Sequence, residues 1–234
     1  MSPGLSPIYA SMRNASLVDF PGRMAAVFFV TGCNFRCGFC HNAPLLGSVK
    51  VGYSWEQLDA LCQKFRRQWV KAVVLTGGEP SLSPNLVEVL HFFRERGFKV
   101  KLDTNGSRPS VLKQVLSLID FVAMDVKCSL PRYADFVGFA DSAAIGESIG
   151  LLVGSDTPYE FRTTLIEPVH TEAEVHAIGE AVRGAACFAV QPFVPRDDLP
   201  EAQLRQTPRT RPQVLRWAAD ILRPYVRRVE IRGG

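Results

Sequence analysis

The chain has 234 residues, 47% of them apolar and 21% charged, enough to bury one substantial core in a single domain spanning 1–234. No apolar run approaches the roughly 18 residues that a membrane span needs. The net charge of +4 is small for a nucleic-acid surface, which calls for a dense basic stripe with interleaved aromatics. Nine arginines against five acids in residues 196–234 account for that whole excess, a pattern that suits a solvated helix face.

The opening MSPGLSPIYASMRN has no basic start followed by an apolar block, so no secretion signal is expected. The expectation is a cytoplasmic protein with neither membrane nor nucleic acid as partner. In that compartment cysteines are more often metal ligands or catalysts than disulfides.

Apolar runs then alternate with helix-like patterns. The segment ASLVDFPGRM is punctuated and polar, and AAVFFVT (25–31) reads as a buried strand. Residues 54–68 predict a helix with Ser54 as N-cap and Gln57 in capping-box spacing. KAVVLT (71–76) predicts a strand, 84–97 a helix closed by Gly97, and FKVKLD (98–103) a strand. PSVLKQVLSLI predicts a helix, DFVAMDVK (120–127) a strand and 142–153 a helix. YEFRTTLI (159–166) is a strand, and 171–184 a helix opened by Thr171 with Glu174 in capping-box spacing. CFAVQPF (187–193) is a strand, the Pro-, Arg- and Asp-rich 194–212 a long loop, RPQVLRWAADILRPY a helix and VRRVEIR a last strand. This alternation predicts an α/β fold on a parallel sheet, either open and doubly wound or a complete or partial barrel. Residues 194–234 would complete its edge.

In either case ligands gather at the carboxyl ends of the strands. The unusual short sequences TGCNFRCGFCHN, TGGEP, LDTNG, MDVK, EFR and QPF fall there. The first of them holds three of the six cysteines, Cys33, Cys37 and Cys40. Three thiolates spaced this way can reach one small inorganic centre. A zinc site would need His41 as fourth ligand, whereas a four-iron cluster with three cysteines keeps one iron open to a substrate or cofactor. Ligand count favours the cluster. Cys62, Cys128 and Cys187 are scattered and read as core residues or surface thiols. Of the four histidines, His91 and His176 lie in helices and His170 precedes one.

CNFRCGFC, with Phe39 before the last cysteine, resembles the signature loop of radical S-adenosylmethionine enzymes. The resemblance implies a partial (β/α) barrel and a [4Fe-4S] cluster on Cys33, Cys37 and Cys40. It also implies S-adenosylmethionine on the open iron, cleaved by one electron to methionine and a 5′-deoxyadenosyl radical. Phe39 would lie near the adenine. Gly77, Gly78 and Glu79 of TGGEP resemble the motif that holds the methionyl amine; alone, a double glycine followed by Glu-Pro is equally well a tight turn.

LDTNG and MDVK, read from the residues, suit strand-end ion pairs and an Asn-Gly turn. They also resemble motifs of the glycyl-radical-activating branch, which includes pyruvate formate-lyase activating enzyme. That likeness implies active-site roles for Asp103, Asp125 and Lys127, with a monovalent cation site, and a cofactor role for Asn105. Arg162 of YEFRTT matches a position expected to meet the cofactor carboxylate, against the plainer reading of a surface salt bridge. Nearly the whole chain is similar to the longer variety of anaerobic ribonucleoside-triphosphate reductase activating proteins. A glycyl-radical enzyme as protein substrate, and an electron donor such as a flavodoxin or ferredoxin, are thereby implied. QPF replaces a histidine-containing segment of pyruvate formate-lyase activators. That keeps open a small-molecule substrate, as in deazapurine biosynthesis.

Overall fold

A computed structural model describes residues 5–47 and 50–233. The chain divides into two compact units, one made of Met1–Cys33, Pro44–Thr104 and Ser110–Val122, the other of Asn34–Ala43, Asn105–Pro109 and Ala123–Gly234.

In the first unit, strands β1 (Ile8–Ser11) and β2 (Ser16–Phe20) both pair antiparallel with β3 (Arg23–Val30). Strand β3 runs parallel to β4 (Ala72–Gly77), and β4 to β5 (Lys99–Thr104). Helices α1 (Trp55–Arg67) and α2 (Leu86–Glu95) link these parallel strands, and α3 (Pro109–Val115) follows β5. Phe28 of β3 packs against Phe65 of α1 and Phe93 of α2, with ring centroids 6.1 and 5.0 Å apart. On the other face of the same strands, Ala25, Val27, Ala72 and Val74 are covered by Phe20. Burial on both faces is why β3 and β4 read as unbroken apolar runs rather than alternating ones. The capping box expected at α1 is present: Gln57 N–H donates to the Ser54 hydroxyl, and Ser54 N–H donates to the Gln57 amide oxygen.

The second unit carries β7 (Tyr159–Leu165), β8 (Phe188–Pro192) and β9 (Val229–Ile231), all parallel. Strand β6 (Phe121–Asp125) crosses the division between the units after Val122. Helices α4 (Tyr133–Val137), α5 (Ser142–Val153), α6 (Glu172–Ala181), α7 (Ala202–Arg205) and α8 (Pro212–Leu222) complete this part. Helix α8 buries Leu215, Ala218, Ala219 and Leu222, one stripe at helical spacing, against α6, β8 and β9. The fully buried Glu160 of β7 is neutralised by two hydrogen bonds from the Arg232 guanidinium.

The structure departs from the sequence reading in three places. Strands β1 and β2 occupy stretches for which the sequence reading named no element, ASLVDFPGRM being punctuated and polar; they exist because Ile8 and Phe20 are buried through pairing with β3, which local pattern does not reveal. Residues 194–212 are not an open loop: they contain α7 and bury Leu199, Leu204 and Thr210. At α6 only half of the capping box forms, because the Glu174 carboxylate accepts from the Ser129 amide at 2.6 Å and its hydroxyl at 2.9 Å instead. Among the described residues no helix is long and apolar enough to cross a membrane.

Candidate functional site

The first unit presents a site built mainly of backbone. β4 ends at Gly77, whose φ of +118° is open only to glycine in practice. A Cβ there would stand 2.4 Å from the Val30 carbonyl oxygen, and one on Gly78 would stand 2.0 Å from the Gly32 carbonyl oxygen. Gly78 N–H donates to Val30 at 2.9 Å and Glu79 N–H to Gly32 at 2.8 Å, so the TGGEP turn is laced to the chain leading into the cysteine loop. The Glu79 carboxylate is buried, accepting from the Thr104 hydroxyl at 2.7 Å and the Ser81 amide at 3.0 Å. Beside it, the Ser81 hydroxyl is buried with no hydrogen-bond partner among the described residues, an unmet polar group of the kind a ligand satisfies. Asp103 is ion-paired to Lys101, whose side chain is fully buried; the strand-end ion pair read from the sequence is present, though in the interior.

The second unit holds the remainder of the cysteine loop. Phe35 is buried against Tyr133 and Phe139, and Phe39 stacks on Phe136 with centroids 5.3 Å apart. The aromatics between the cysteines thus anchor the loop. Arg36 N–H donates to Val137 at 2.7 Å, and Cys40 N–H to Cys37 at 3.2 Å. From the other side the 194–212 segment grips it. Glu201 N–H donates to the Gly38 carbonyl at 3.1 Å, and a Cβ on Gly38 would meet the Glu201 carboxylate at 2.3 Å. His41 is exposed, with Nε2 2.9 Å from the Val194 carbonyl oxygen, so this ring is engaged outside the cysteine set. Asn105 bonds the same loop: its side-chain amide donates to Asn34 at 3.0 Å while its oxygen accepts from Ser107 N–H at 2.9 Å.

A charged group lies in the same unit. Asp125, at the end of β6, receives Lys127 Nζ at 3.0 Å and Arg162 Nε at 2.9 Å. Burial alone would raise the Asp125 carboxyl, but Arg162 and Lys127 outweigh it and hold it at about 2. Lys127 is shifted upward, because the attraction of Asp125 and of the Cys37 thiol exceeds the cost of burial. Its Nζ lies 5.7 Å from the centre of the Phe39 ring. Arg162, with only 14% of its side chain exposed, is paired with Asp125 in the interior, which corrects the surface salt bridge considered for it. Burial pushes the Cys40 thiol up, partly offset by the Asn42 amide and Lys127. Cys33, Cys37 and Cys40 are all free of disulfides, as are Cys62, Cys128 and Cys187. The last three are buried core residues, not surface thiols; burial pushes Cys62 and Cys128 up to about 12.

Sequence reasoning missed Thr104, Ser81, Tyr133 and His170. Tyr133 and His170 hydrogen-bond to the main chain of Lys127, at 3.1 and 3.0 Å. No local motif marks them; Thr104 and His170 find their partners Glu79 and Lys127 at separations of 25 and 43 residues, which spacing along the chain does not reveal. The donor set itself suits an iron–sulfur cluster plus a small polar ligand. The first unit offers the Cys33 thiol, a turn that excludes a Cβ at Gly77 and Gly78, and a buried Ser81 hydroxyl with no partner among the described residues; the second offers the Cys37 and Cys40 thiols, and none of the three cysteines is in a disulfide.

Comparison with known proteins agrees. A protein of Methanocaldococcus jannaschii provisionally named a glycyl-radical enzyme activating enzyme is 31% identical over 240 residues, covering 97% of both chains. The pyruvate formate-lyase-activating enzyme of Clostridium pasteurianum is 31% identical over 124 residues, 50% of this chain and 51% of its own. Among solved structures, Streptococcus suis SuiB bound to S-adenosylmethionine matches 86% of this chain and 48% of its own, at TM-score 0.67 and 12% identity, a likeness of fold. The expected α/β class, of the partial (β/α) barrel type found in radical S-adenosylmethionine enzymes, is thereby borne out. The Radical SAM superfamily matches residues 27–178, and with a full-length relative beside that match the chain belongs to this superfamily of enzymes, which use a [4Fe-4S] cluster and S-adenosylmethionine.

Proposed function

We propose that the protein activates a glycyl-radical enzyme, with anaerobic ribonucleoside-triphosphate reductase as the first candidate partner. The observation that carries this reading is the likeness, along 97% of the chain, to the M. jannaschii protein provisionally named a glycyl-radical enzyme activating enzyme. When bound, the cluster and S-adenosylmethionine supply the one-electron chemistry that ends in removal of a hydrogen atom from a glycine of the partner. A donor such as a flavodoxin or ferredoxin provides the electron.

The chain's own residues have separate tasks. Cys33, Cys37 and Cys40 would hold the cluster, three thiolates for four irons. Gly77 and Gly78 keep side chains away from the methionyl group, while Glu79, fixed by Thr104, accepts from its ammonium. Phe39 flanks the adenine. Arg162, its Nε on Asp125, is the group for the cofactor carboxylate, and Asn105 stiffens the cysteine loop through Asn34. Asp103 in the first unit, and Asp125 and Lys127 in the second, are the active-site polar groups that orient the cofactor and the incoming glycine segment, and a monovalent cation is the further cofactor of this reading.

Anaerobic reconstitution followed by electron paramagnetic resonance tests this reading. The expected result is a reduced four-iron signal altered by S-adenosylmethionine, then a glycyl-radical doublet on the added reductase. Turnover with no protein partner would transfer the function to a small-molecule substrate. A colourless protein with one zinc and no sulfide would end the radical reading.

A further inference from the structure

Lys127 stands two residues past the end of β6, where strand pairing is running out. Val126 N–H still donates to the Arg162 carbonyl at 2.8 Å. At Lys127 the two main-chain polar groups are taken over by side chains. Its N–H donates to the Tyr133 hydroxyl at 3.1 Å, and its carbonyl lies 3.0 Å from His170 Nε2. Both partners are interior residues, Tyr133 at 0% and His170 at 1% exposure. Buried main-chain groups require partners, but a strand end commonly finds them in a turn or in water. Two buried side chains converging on one residue is a costlier arrangement that fixes that residue from both sides.

The imidazole is itself oriented. His170 Nδ1 lies 3.0 Å from the Ile166 amide nitrogen and 3.2 Å from the Ile166 carbonyl oxygen, while Nε2 lies 3.0 Å from the Lys127 carbonyl oxygen; a ring protonated at Nε2 accepts from Ile166 N–H and donates to Lys127. The opposite tautomer would set a bare Nε2 against a carbonyl oxygen. Burial lowers the His170 pKa and so keeps the ring in this neutral form. The ring edge meets Phe136 at 5.9 Å and 87°, and Phe136 stacks on Phe39, over which Lys127 Nζ lies at 5.7 Å. The frame is closed: Lys127, His170, Phe136 and Phe39 each constrain the next. A lysine has a flexible four-carbon stem, so its ammonium is placed only as well as its main chain is anchored.

We infer that Tyr133 and His170 are positioning residues, which fix the Lys127 ammonium between Asp125 and Phe39 by gripping its main chain from both sides. The inference rests on the reading of Lys127 as an active-site group, and its test separates the two.

The anaerobically reconstituted full chain is compared with Tyr133→Phe, His170→Leu and His170→Gln, each alone and combined with Lys127→Met. Reductive cleavage of S-adenosylmethionine to 5′-deoxyadenosine should slow about tenfold or more in Tyr133→Phe and His170→Leu, with a smaller change in KM, since small misplacements of active-site groups cost up to ~100-fold. His170→Gln should recover most of the rate, because its amide can still donate to the carbonyl. In the Lys127→Met background these substitutions should cost nothing further; fully additive losses overturn the inference. A second readout needs no turnover. In reductive methylation mapped by mass, Lys127 should become markedly more reactive in Tyr133→Phe and His170→Leu, while Lys99, exposed and paired with Asp120, stays unchanged as the reference. Unaltered protection of Lys127 in both variants overturns the clamp. A wild-type cleavage rate in Lys127→Met alone would remove Lys127 from the active site and leave methylation to decide the clamp. Tyr133→Phe deletes one oxygen and keeps the test available should His170→Leu fail to fold.

Discussion

The two units contribute chemistry of opposite kinds. In the first, the TGGEP turn works by what it lacks: Gly77 and Gly78 press against the Val30 and Gly32 carbonyls, where no Cβ can enter. In the second, Asp125, Lys127 and Arg162 work by what they carry, three ionised groups held together in the interior. A backbone site tolerates no addition, whereas a charge cluster tolerates changes of shape better than changes of charge. Substitutions can therefore sort the two.

The largest effect should come from the loop that precedes both. Cys37→Ala should abolish cluster binding and all activity, because two thiolates cannot retain a four-iron cluster; iron and sulfide analysis checks it, and a full cluster content would remove Cys37 from the ligand set. Next is Gly78→Ala. Its methyl would stand 2.0 Å from the Gly32 carbonyl oxygen, so the turn must shift, at a cost of about 1–3 kcal/mol in stability and a near-complete loss of cofactor affinity. Thermal unfolding and equilibrium dialysis against S-adenosylmethionine measure the two separately. If both are unchanged, the turn is not a rigid backbone site.

A smaller, selective effect is expected of Glu79→Ala. The cluster should persist while cofactor affinity drops at least about tenfold, the worth of one lost charge-assisted hydrogen bond. Unchanged affinity would take Glu79 out of the amine site. The last concerns acid stability rather than cofactor binding. Asp125 is depressed to about 2 when folded, from about 3.9 in an unfolded chain, so it contributes stability that is fully present above pH ~4 and is lost as pH falls towards 2. Two pKa units correspond to about 2–3 kcal/mol at neutral pH. Asp125→Asn should therefore flatten the stability profile between pH 4 and 2, and an unaltered slope there would mean the pairing with Lys127 and Arg162 does not hold in solution.

Much of the fold was legible because its signals are local. Continuous apolar strands, the Ser54–Gln57 capping box and the helical stripe of α8 all follow from neighbours within a few residues. The antiparallel strands β1 and β2 were not, since an exposed Leu17 and Val18 disguise a segment whose buried apolar residues, Ile8 and Phe20, are covered only through the pairing of both strands with β3. The 194–212 segment misled for a related reason: its prolines and charges look like loop, while Leu199, Leu204 and Thr210 hold it down against residues remote in sequence.

The amino-acid sequence by itself determined the three-cysteine loop, its placement after a strand, and the short motifs at the following strand ends, because ligand spacing and hydrophobic period are properties of consecutive residues. Only the tertiary structure decided which groups answer one another. Arg162 spends Nε on Asp125, His41 turns to the Val194 carbonyl, and Tyr133 and His170 take hold of Lys127. Those pairings span 6 to 153 positions of chain, and hydrogen bonds and ion pairs depend on angstroms in space rather than on separation in sequence.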